Sequence, residues 1–356
     1  MTHAKLLVID GREGLRHIAR ETLVDVLHPG DLVVANDAAT LPASLHGTHV
    51  RSGGPIEVRL AGRPAAPTCS PKRLSRRRKP SATAGGSLST AVADFCAIAF
   101  GAGDFHTRTE DRPPPPALAC GDALALGPLS ATVTGILGHP RLISLHFDGS
   151  PDDIWAGIAY HGRPVQYAHV TTPLALWDVW TPIASPPVAF EPPSAGFALD
   201  WRTIAALHAR HIGFATITHA AGISSTGDLE LDRRLPFDEP YDIPQSTARA
   251  IARTRESGGR IVAIGTTVVR ALEHAAMCGD SVVHAGPNVA TDRIGPGTRL
   301  RVVNAILTGV HEPGTSHYEL LRAFADDPTL LFANEELAAH GYRPHEFGDS
   351  VLVIPA

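Results

Sequence analysis

The chain has 356 residues, of which 44% are hydrophobic and 19% charged, and its formal net charge is −5. This composition is typical of a folded, water-soluble protein and excludes a disordered or fibrous one. No apolar run reaches the roughly 18 residues that a membrane-spanning helix needs, so no membrane association is expected.

Cysteine usage and charge narrow the class of protein further. The four cysteines are widely spaced and form no C-x-x-C pair, so neither a metal site nor a disulfide framework is expected; they are Cys69, Cys96, Cys120 and Cys278. The N-terminus has no secretory cleavage pattern, and a cytoplasmic location is therefore predicted. The acidic balance argues against bulk affinity for nucleic acid, although a local basic patch stays compatible with it.

The first 47 residues are predicted to be compact. Residues 6–9 are apolar and indicate a strand, residues 18–27 have helical spacing, and residues 31–35 indicate a second strand. That strand runs directly into Asn36 and Asp37. An Asn-Asp pair is commonly part of a turn, so turn chemistry and a role in binding substrate are both open for these two residues.

From about residue 48 to 165 the pattern changes to short β-like segments separated by Gly and Pro, which predicts an antiparallel β domain. Examples are residues 55–60, 131–136 and 142–147. Residues 63–91 are rich in Pro, Ser, Ala, Gly and Arg and are predicted to be disordered. Their basic run, residues 72–79, could contact RNA phosphates or be a solvated loop.

From about residue 166 strands and helices alternate again. Helices are predicted at 203–211, 245–257 and 316–324, and strands at 214–218, 261–264, 300–307 and 351–354. The simplest architecture is a discontinuous α/β domain made of residues 1–47 and 166–356. A β domain of residues 48–165 is inserted into it.

The most informative motif is Gly265-Thr-Thr-Val-Val-Arg270, which follows the predicted strand 261–264 and opens a helix. Free backbone N–H groups and two threonine hydroxyls at such a turn can bind an anion, which Arg270 would help to hold. On that interpretation Arg270 lies in the first helical turn, and its removal should weaken binding but hardly affect folding. The alternative is a threonine N-cap with Arg270 paired to a surface carboxylate.

Several ordered motifs resemble the S-adenosylmethionine:tRNA ribosyltransferase-isomerases of queuosine biosynthesis. The strongest are residues 260–273 and 29–47, followed by 308–311; weaker echoes are 193–196 and 239–243, and further matches are 291–292, 296–297, 300–303, 323–324 and 347–349. The resemblance covers both ends of the chain at motif level and the middle in outline. It implies an α/β fold in which a mixed β-barrel-like main domain with flanking helices carries a small inserted antiparallel β-barrel.

The resemblance also implies a reaction and a set of site residues. S-adenosylmethionine would donate its ribosyl group to 7-aminomethyl-7-deazaguanine in tRNA, through a sulfonium ylide, with loss of adenine and methionine. Such a site needs a general base, a clamp for the methionyl carboxylate and partners for ribose hydroxyls. Catalytic roles are expected for His219, His311 and Asp37. Substrate contacts are expected for Asn36, Ser194, Gly196, Glu239, Thr266, Thr267, Arg270, Thr308 and Asp349.

The sequence departs from the family pattern at three positions near these motifs. Phe237 replaces a histidine, Gly309 an amide and Gly314 a lysine. Two further hypotheses are therefore open: a paralogue that uses S-adenosylmethionine on a small molecule, and a non-catalytic binding protein on the same scaffold. Each replaced side chain could bind ribose, base or phosphate, so the sequence predicts binding of S-adenosylmethionine with weak transfer to the usual tRNA acceptor. A monomer is expected.

Overall fold

The computed structural model describes residues 4–63, 93–104, 106–167, 169–344 and 347–355. The segment predicted to be disordered, 63–91, lies outside these residues except for Arg63, and so does the basic run 72–79.

Seventeen strands lie among the described residues. They are β1 Lys5–Asp10, β2 Gly14–Ala19, β3 Leu32–Asn36, β4 Ala39–Thr40, β5 Ser44–His49, β6 Gly54–Gly62, β7 Asp94–Phe100, β8 Ala123–Leu126, β9 Leu129–His139, β10 Leu142–Phe147, β11 Pro187–Ala189, β12 Gly213–His219, β13 Glu239–Ile243, β14 Ile261–Ile264, β15 Gly286–Ala290, β16 Ala305–Gly309 and β17 Ser350–Ile354.

The helices of the same residues are eight α-helices and three 3-10 helices. The α-helices are α1 Pro151–His161, α2 Leu176–Val179, α3 Trp201–Ala209, α4 Leu229–Asp232, α5 Gln245–Glu256, α6 Thr266–Cys278, α7 Ser316–Leu321 and α8 Asp327–Ala339. The 3-10 helices are Arg20–Val26, Thr109–Asp111 and Ser194–Ala198.

Nine strands form a mixed sheet in the order β15-β13-β12-β3-β14-β16-β17-β1-β2. Its centre is parallel, because β3 pairs with β12 and β14, and β14 pairs with β16, all in the same direction. Strand β3 is buried along its whole length. Leu32 and Val34 belong to one hydrophobic core and Val33 to another, so both faces of the sheet are covered, as parallel strands require.

A second unit is a closed barrel of six antiparallel strands, β10-β7-β6-β5-β8-β9. Alternating apolar residues fill it, among them Phe95 and Phe147, whose rings meet edge to face at 5.7 Å. Closure leaves no unpaired strand edge. The expected fold class is confirmed: an α/β chain whose main part is a mixed sheet with flanking helices, with a small antiparallel β-barrel inserted.

The structure differs from the predicted elements in several places. Residues 14–19 pair with β1 as β2, and a 3-10 helix follows, so the helix predicted at 18–27 is wrong. Strand β16 starts only at Ala305, and α7 ends at Leu321. Helices α1 and α8 were not predicted. The first barrel strand already begins at Ser44, and the division of the chain at 47 and 166 stays a prediction.

The barrel packs on the main sheet through an apolar cluster. Ile98 and Phe100 of β7 lie with Ile223 and Leu231, and the side chain of Phe237 packs against them. This contact places the loop between β12 and β13 against the barrel. None of the helices in the described ranges is long and apolar enough to cross a membrane.

Candidate functional site

The site lies where four neighbouring parallel strands end. In the order β12-β3-β14-β16 they terminate at His219, Asn36, Ile264 and Gly309. In α/β sheets the carboxyl ends of parallel strands form the edge at which ligands bind, because helix N-termini and connecting loops meet there. Motifs far apart in the sequence are brought to one edge in this way.

A buried hydrogen-bond network begins at Asn36. Its amide oxygen accepts from the backbone N–H of His219 at 2.9 Å, and its amide nitrogen donates to the carbonyl oxygen of His219 at 2.9 Å. The same nitrogen donates to the hydroxyl of Thr267 at 3.3 Å. Asn36 therefore joins the ends of β3 and β12 to the start of α6. The side chain of Asn36 was expected to contact substrate, but in this structure it bonds other protein groups and so holds the site together.

Glu239, the first residue of β13, is the centre of the network. Its Oε2 lies 2.9 Å from Nε2 of His219 and is paired with the Nη1 of Arg270, while its Oε1 accepts from the backbone N–H of Gly222 at 2.6 Å. All three side chains are buried. A buried carboxylate with a cation and two further donors is a stable arrangement, because its charge is neutralised and hydrogen-bonded.

Burial and the neighbouring Arg270 charge lower the pKa of His219 to about 3. The ring is therefore neutral at physiological pH, and beside a carboxylate its Nε2 must carry the proton and donate. Burial also lowers the pKa of Arg270 to about 10, which leaves the guanidinium charged. The network thus carries one negative and one positive charge.

The position of Arg270 corrects two expectations. Helix α6 begins at Thr266, so Arg270 is its fifth residue and lies beyond the first turn. Its partner is the buried Glu239, not a surface carboxylate, and its Nη2 donates to the carbonyl oxygens of Phe237 at 3.1 Å and Ala290 at 3.2 Å. Removing Arg270 would leave a buried carboxylate without its cation, so the structure predicts a loss of stability where the sequence predicted a nearly unchanged fold.

Above this network is a pocket of about 790 Å³, measured out to open solvent. Thr266 and Thr267 line it at the N-terminus of α6, where backbone N–H groups have no helical partner. Gly265 has φ 94°, a conformation that favours glycine, and a Cβ there would be 3.4 Å from Ala195. The helix is capped by this glycine, since no side chain caps it.

His311 also lines the pocket. Its Nε2 is 2.7 Å from the hydroxyl of Thr308, and its ring packs against His317 with centroids 4.8 Å apart. Burial and the neighbouring His317 hold the pKa of His311 well below its usual range. The imidazole is neutral and so can accept a proton, but its lowered pKa makes it a weaker base than an ordinary histidine.

The pocket brings together seven of the twelve predicted residues: Ser194, Glu239, Thr266, Thr267, Arg270, Thr308 and His311. Asn36 and His219 lie directly behind it, in the network. Gly196 is buried, and a Cβ there would be 3.0 Å from Cγ2 of Thr181, so the glycine permits close packing.

Asp37 and Asp349 are not among the lining residues. A carboxylate oxygen of Asp37 accepts from the hydroxyl of Thr218 at 2.7 Å. The carboxylate of Asp349 accepts from the backbone N–H groups of Lys5 at 2.7 Å and Arg343 at 2.8 Å, at the edge of an adjoining pocket. In this structure the carboxylate of Asp349 therefore fixes backbone, and that of Asp37 bonds a threonine side chain.

Sequence reasoning missed Glu191 and His317, which also line the pocket. Glu191 is buried, and its carboxylate accepts from the backbone N–H of Ser224 at 3.1 Å. The signal was an acidic residue directly after the apolar Val188-Ala-Phe190 and two residues before the 193–196 motif. Among the described residues, the His17, Glu336 and His340 cluster has ligands suited to a metal, but it shares no residue with the pocket.

Comparison with protein families gives a match over almost the whole chain. The model described as "Queuosine biosynthesis protein" matches residues 1–353.

Individual relatives carry the name S-adenosylmethionine:tRNA ribosyltransferase-isomerase. The protein of Gloeobacter violaceus is 31% identical over 99% of this chain and 90% of its own length. That of Citrifermentans bemidjiense is 30% identical over 98% of this chain and 92% of its own length. Among solved structures, the S-adenosylmethionine tRNA ribosyltransferase of Thermotoga maritima covers 99% of this chain and 93% of its own, at 22% identity and a TM-score of 0.48.

Proposed function

The chain belongs to the queuosine biosynthesis protein family, and from that premise we propose that it is an S-adenosylmethionine:tRNA ribosyltransferase-isomerase. It takes the ribosyl group of S-adenosylmethionine, transfers it to 7-aminomethyl-7-deazaguanine in tRNA and isomerises it to the epoxycyclopentanediol of epoxyqueuosine. Adenine and methionine are the other products. The observation that carries the proposal is the pocket at the strand ends, which joins a neutral histidine to an ion-paired carboxylate and a helix N-terminus.

His311 serves as the general base. A sulfonium makes the hydrogens on the neighbouring C5′ acidic, and removal of one of them gives the ylide from which adenine departs. A base for this step must be unprotonated and must reach the substrate. His311 is neutral and lines the pocket, and the hydroxyl of Thr308 orients its ring.

Glu239 binds ribose hydroxyls. Its carboxylate faces the pocket, and Arg270, His219 and the N–H of Gly222 hold it in one orientation. Oε2 already accepts from two donors, whereas Oε1 accepts from Gly222 and has a further lone pair with which to accept from a hydroxyl. Arg270 and His219 are then positioning residues that keep the carboxylate ionised and aimed.

Thr266 and Thr267 bind the methionyl carboxylate. Helix α6 has 13 residues, so its N-terminus carries the partial positive charge of a full helix dipole. The two hydroxyls and the unpaired N–H groups of its first turn suit a carboxylate. Arg270 contributes indirectly, since its charge is already matched by Glu239.

The three departures from the family pattern lie outside this pocket. The side chain of Phe237 packs in the apolar contact with the barrel, Gly309 lines the adjoining pocket, and Gly314 lines a separate hollow with φ 86°. None of the three is among the described residues that line the first pocket. The match over almost the whole chain favours the tRNA-modifying activity over a paralogue acting on a small molecule or a non-catalytic binding protein.

The test is release of adenine from S-adenosylmethionine, measured with and without tRNA that carries 7-aminomethyl-7-deazaguanine. The proposal expects release that depends on this tRNA, together with the matching mass increase of the tRNA. tRNA with guanine at the same position is the control substrate, and His311→Asn is the control variant. Release that does not need tRNA would instead support the small-molecule reaction, and binding without release the non-catalytic protein. A cytoplasmic location and a monomeric state remain predictions from the sequence.

A further inference from the structure

We infer that a second pocket beside the candidate site binds a planar, purine-like base, with Phe197 and Phe347 as its stacking walls. The inference rests on the proposed function, because that reaction brings two such bases to one ribose. They are the adenine that leaves S-adenosylmethionine and the deazaguanine that receives the ribosyl group.

The two pockets adjoin each other. The second one has about 460 Å³, measured out to solvent, and lies between the 3-10 helix Ser194–Ala198, the end of β16 and residues 347–350. Ser194 and Ala195 line both pockets. On this inference a ligand whose ribose lies in the first pocket extends its base past this 3-10 helix into the second.

The walls of the two pockets differ in chemistry. The lining described for the first pocket contains no Phe, Tyr or Trp, whereas Phe197 and Phe347 both line the second. Their ring centroids are 5.5 Å apart with planes tilted by 49°, and both side chains are half-buried. Aromatic faces that border an open pocket are suited to stacking on a base.

Neighbouring contacts fix these rings. Tyr167 packs against Phe347 in an edge-on arrangement at 6.0 Å, and Gly196 lets the 3-10 helix that carries Phe197 pack closely on Thr181. A ring held in place loses little entropy when a ligand stacks on it.

The polar groups of the second pocket are largely committed to the protein. Asp349 uses both carboxylate oxygens to accept from backbone N–H groups, and the Nη1 of Arg20 donates to the carbonyl oxygen of Gly348 at 3.3 Å. These bonds hold the chain segment that carries Phe347. Recognition in this pocket therefore depends mainly on the aromatic faces.

The test compares Phe347→Leu, which keeps apolar volume but removes the aromatic face, with Phe347→Tyr, which keeps the ring. The same pair is made at Phe197. Phe332→Leu is the matched control, because Phe332 lies on α8 and is 52% exposed. The Kd for S-adenosylmethionine is measured by calorimetry, and the KM for deazaguanine-bearing tRNA by adenine release.

Stacking predicts a loss of about tenfold for each leucine variant, near-normal values for each tyrosine variant and no change in the control. A higher Kd for S-adenosylmethionine identifies the base as its adenine, and a higher KM for tRNA identifies the deazaguanine. Leucine variants equal to wild type in both measurements, or tyrosine variants as weak as leucine ones, would overturn the inference.

The proposed function can fail separately. If the wild-type protein neither binds S-adenosylmethionine nor modifies tRNA, direct titration with adenosine and 7-deazaguanosine tests the pocket alone. Binding that Phe347→Leu weakens would support the base site without the reaction. Absence of binding of both nucleosides would overturn it.

Discussion

Removal of the Arg270 guanidinium should destabilise the protein far more than removal of an ordinary arginine. Arg270 and Glu239 are both buried, and their side chains are only 4% and 8% exposed. In Arg270→Ala the carboxylate of Glu239 keeps its donors from His219 and Gly222 but loses its only cation among the described residues. Breaking a buried pair from one side typically costs about 3–5 kcal/mol.

This loss is large against the roughly 5–15 kcal/mol by which a domain is usually stable. Urea unfolding at equilibrium measures it as a lower transition midpoint. The control is Arg249→Ala, an exposed arginine on α5, which should change the free energy of unfolding by no more than about 0.5 kcal/mol. The sequence alone predicted a nearly unchanged fold for Arg270→Ala, so this experiment separates the two interpretations.

A double variant shows whether the ion pair is the cause. In Arg270→Ala combined with Glu239→Gln the orphaned charge is absent, so the double variant should be less destabilised than the sum of the single ones. A coupling of about 0.5–3 kcal/mol is expected for residues in contact. Strictly additive losses, or a loss of less than about 1 kcal/mol in Arg270→Ala, would refute the reasoning.

Three further outcomes follow from the site. Folding lowers the pKa of His219 to about 3, so below about pH 6.5 the unfolded chain binds more protons than the folded one. The free energy of unfolding should therefore decrease as the pH is lowered, by up to about 1.4 kcal/mol per pH unit. Urea titrations between pH 4 and 8 should show that the free energy of unfolding depends less on pH in His219→Gln than in the wild type. The exposed control His146→Gln should keep the wild-type pH dependence, and equal slopes in His219→Gln and the wild type would contradict this. His311→Asn should slow adenine release by about 10²–10⁴-fold with little change in the Kd for S-adenosylmethionine, and a normal rate would exclude it as the base. Phe237→His should lower the stability measured by thermal unfolding by about 1–3 kcal/mol, since it places an imidazole in an apolar contact. It should not raise activity, and a gain in activity would show that the family's histidine acts at the site.

Local pattern was sufficient for much of the secondary structure. Residues 6–9, 32–35 and 261–264 are short apolar runs that need burial on two faces, and all three lie in strands of the central sheet. The turn at Gly265 was predicted from its position between a strand and a helix, and its φ of 94° is one that glycine adopts readily. Ordered motifs at both ends of the chain likewise identified the family.

The sequence was insufficient where a partner from elsewhere in the chain decides the outcome. Residues 18–19 have helical spacing, yet they lie in a strand because Lys5 and Leu6 provide backbone partners for them. Register and pairing of strands are set by such tertiary contacts, which local spacing does not encode.

The same reason limits what the sequence says about the site. Arg270 lies 31 residues from Glu239, and Asn36 lies 183 residues from His219. Whether a guanidinium meets a substrate anion or a buried carboxylate depends on which chain segments the fold places beside it. The sequence by itself determined the strands, the glycine turn and the candidate residues. Only the tertiary structure decided that Arg270 is paired within the protein, because burial removes water as an alternative partner and leaves Glu239 to neutralise its charge.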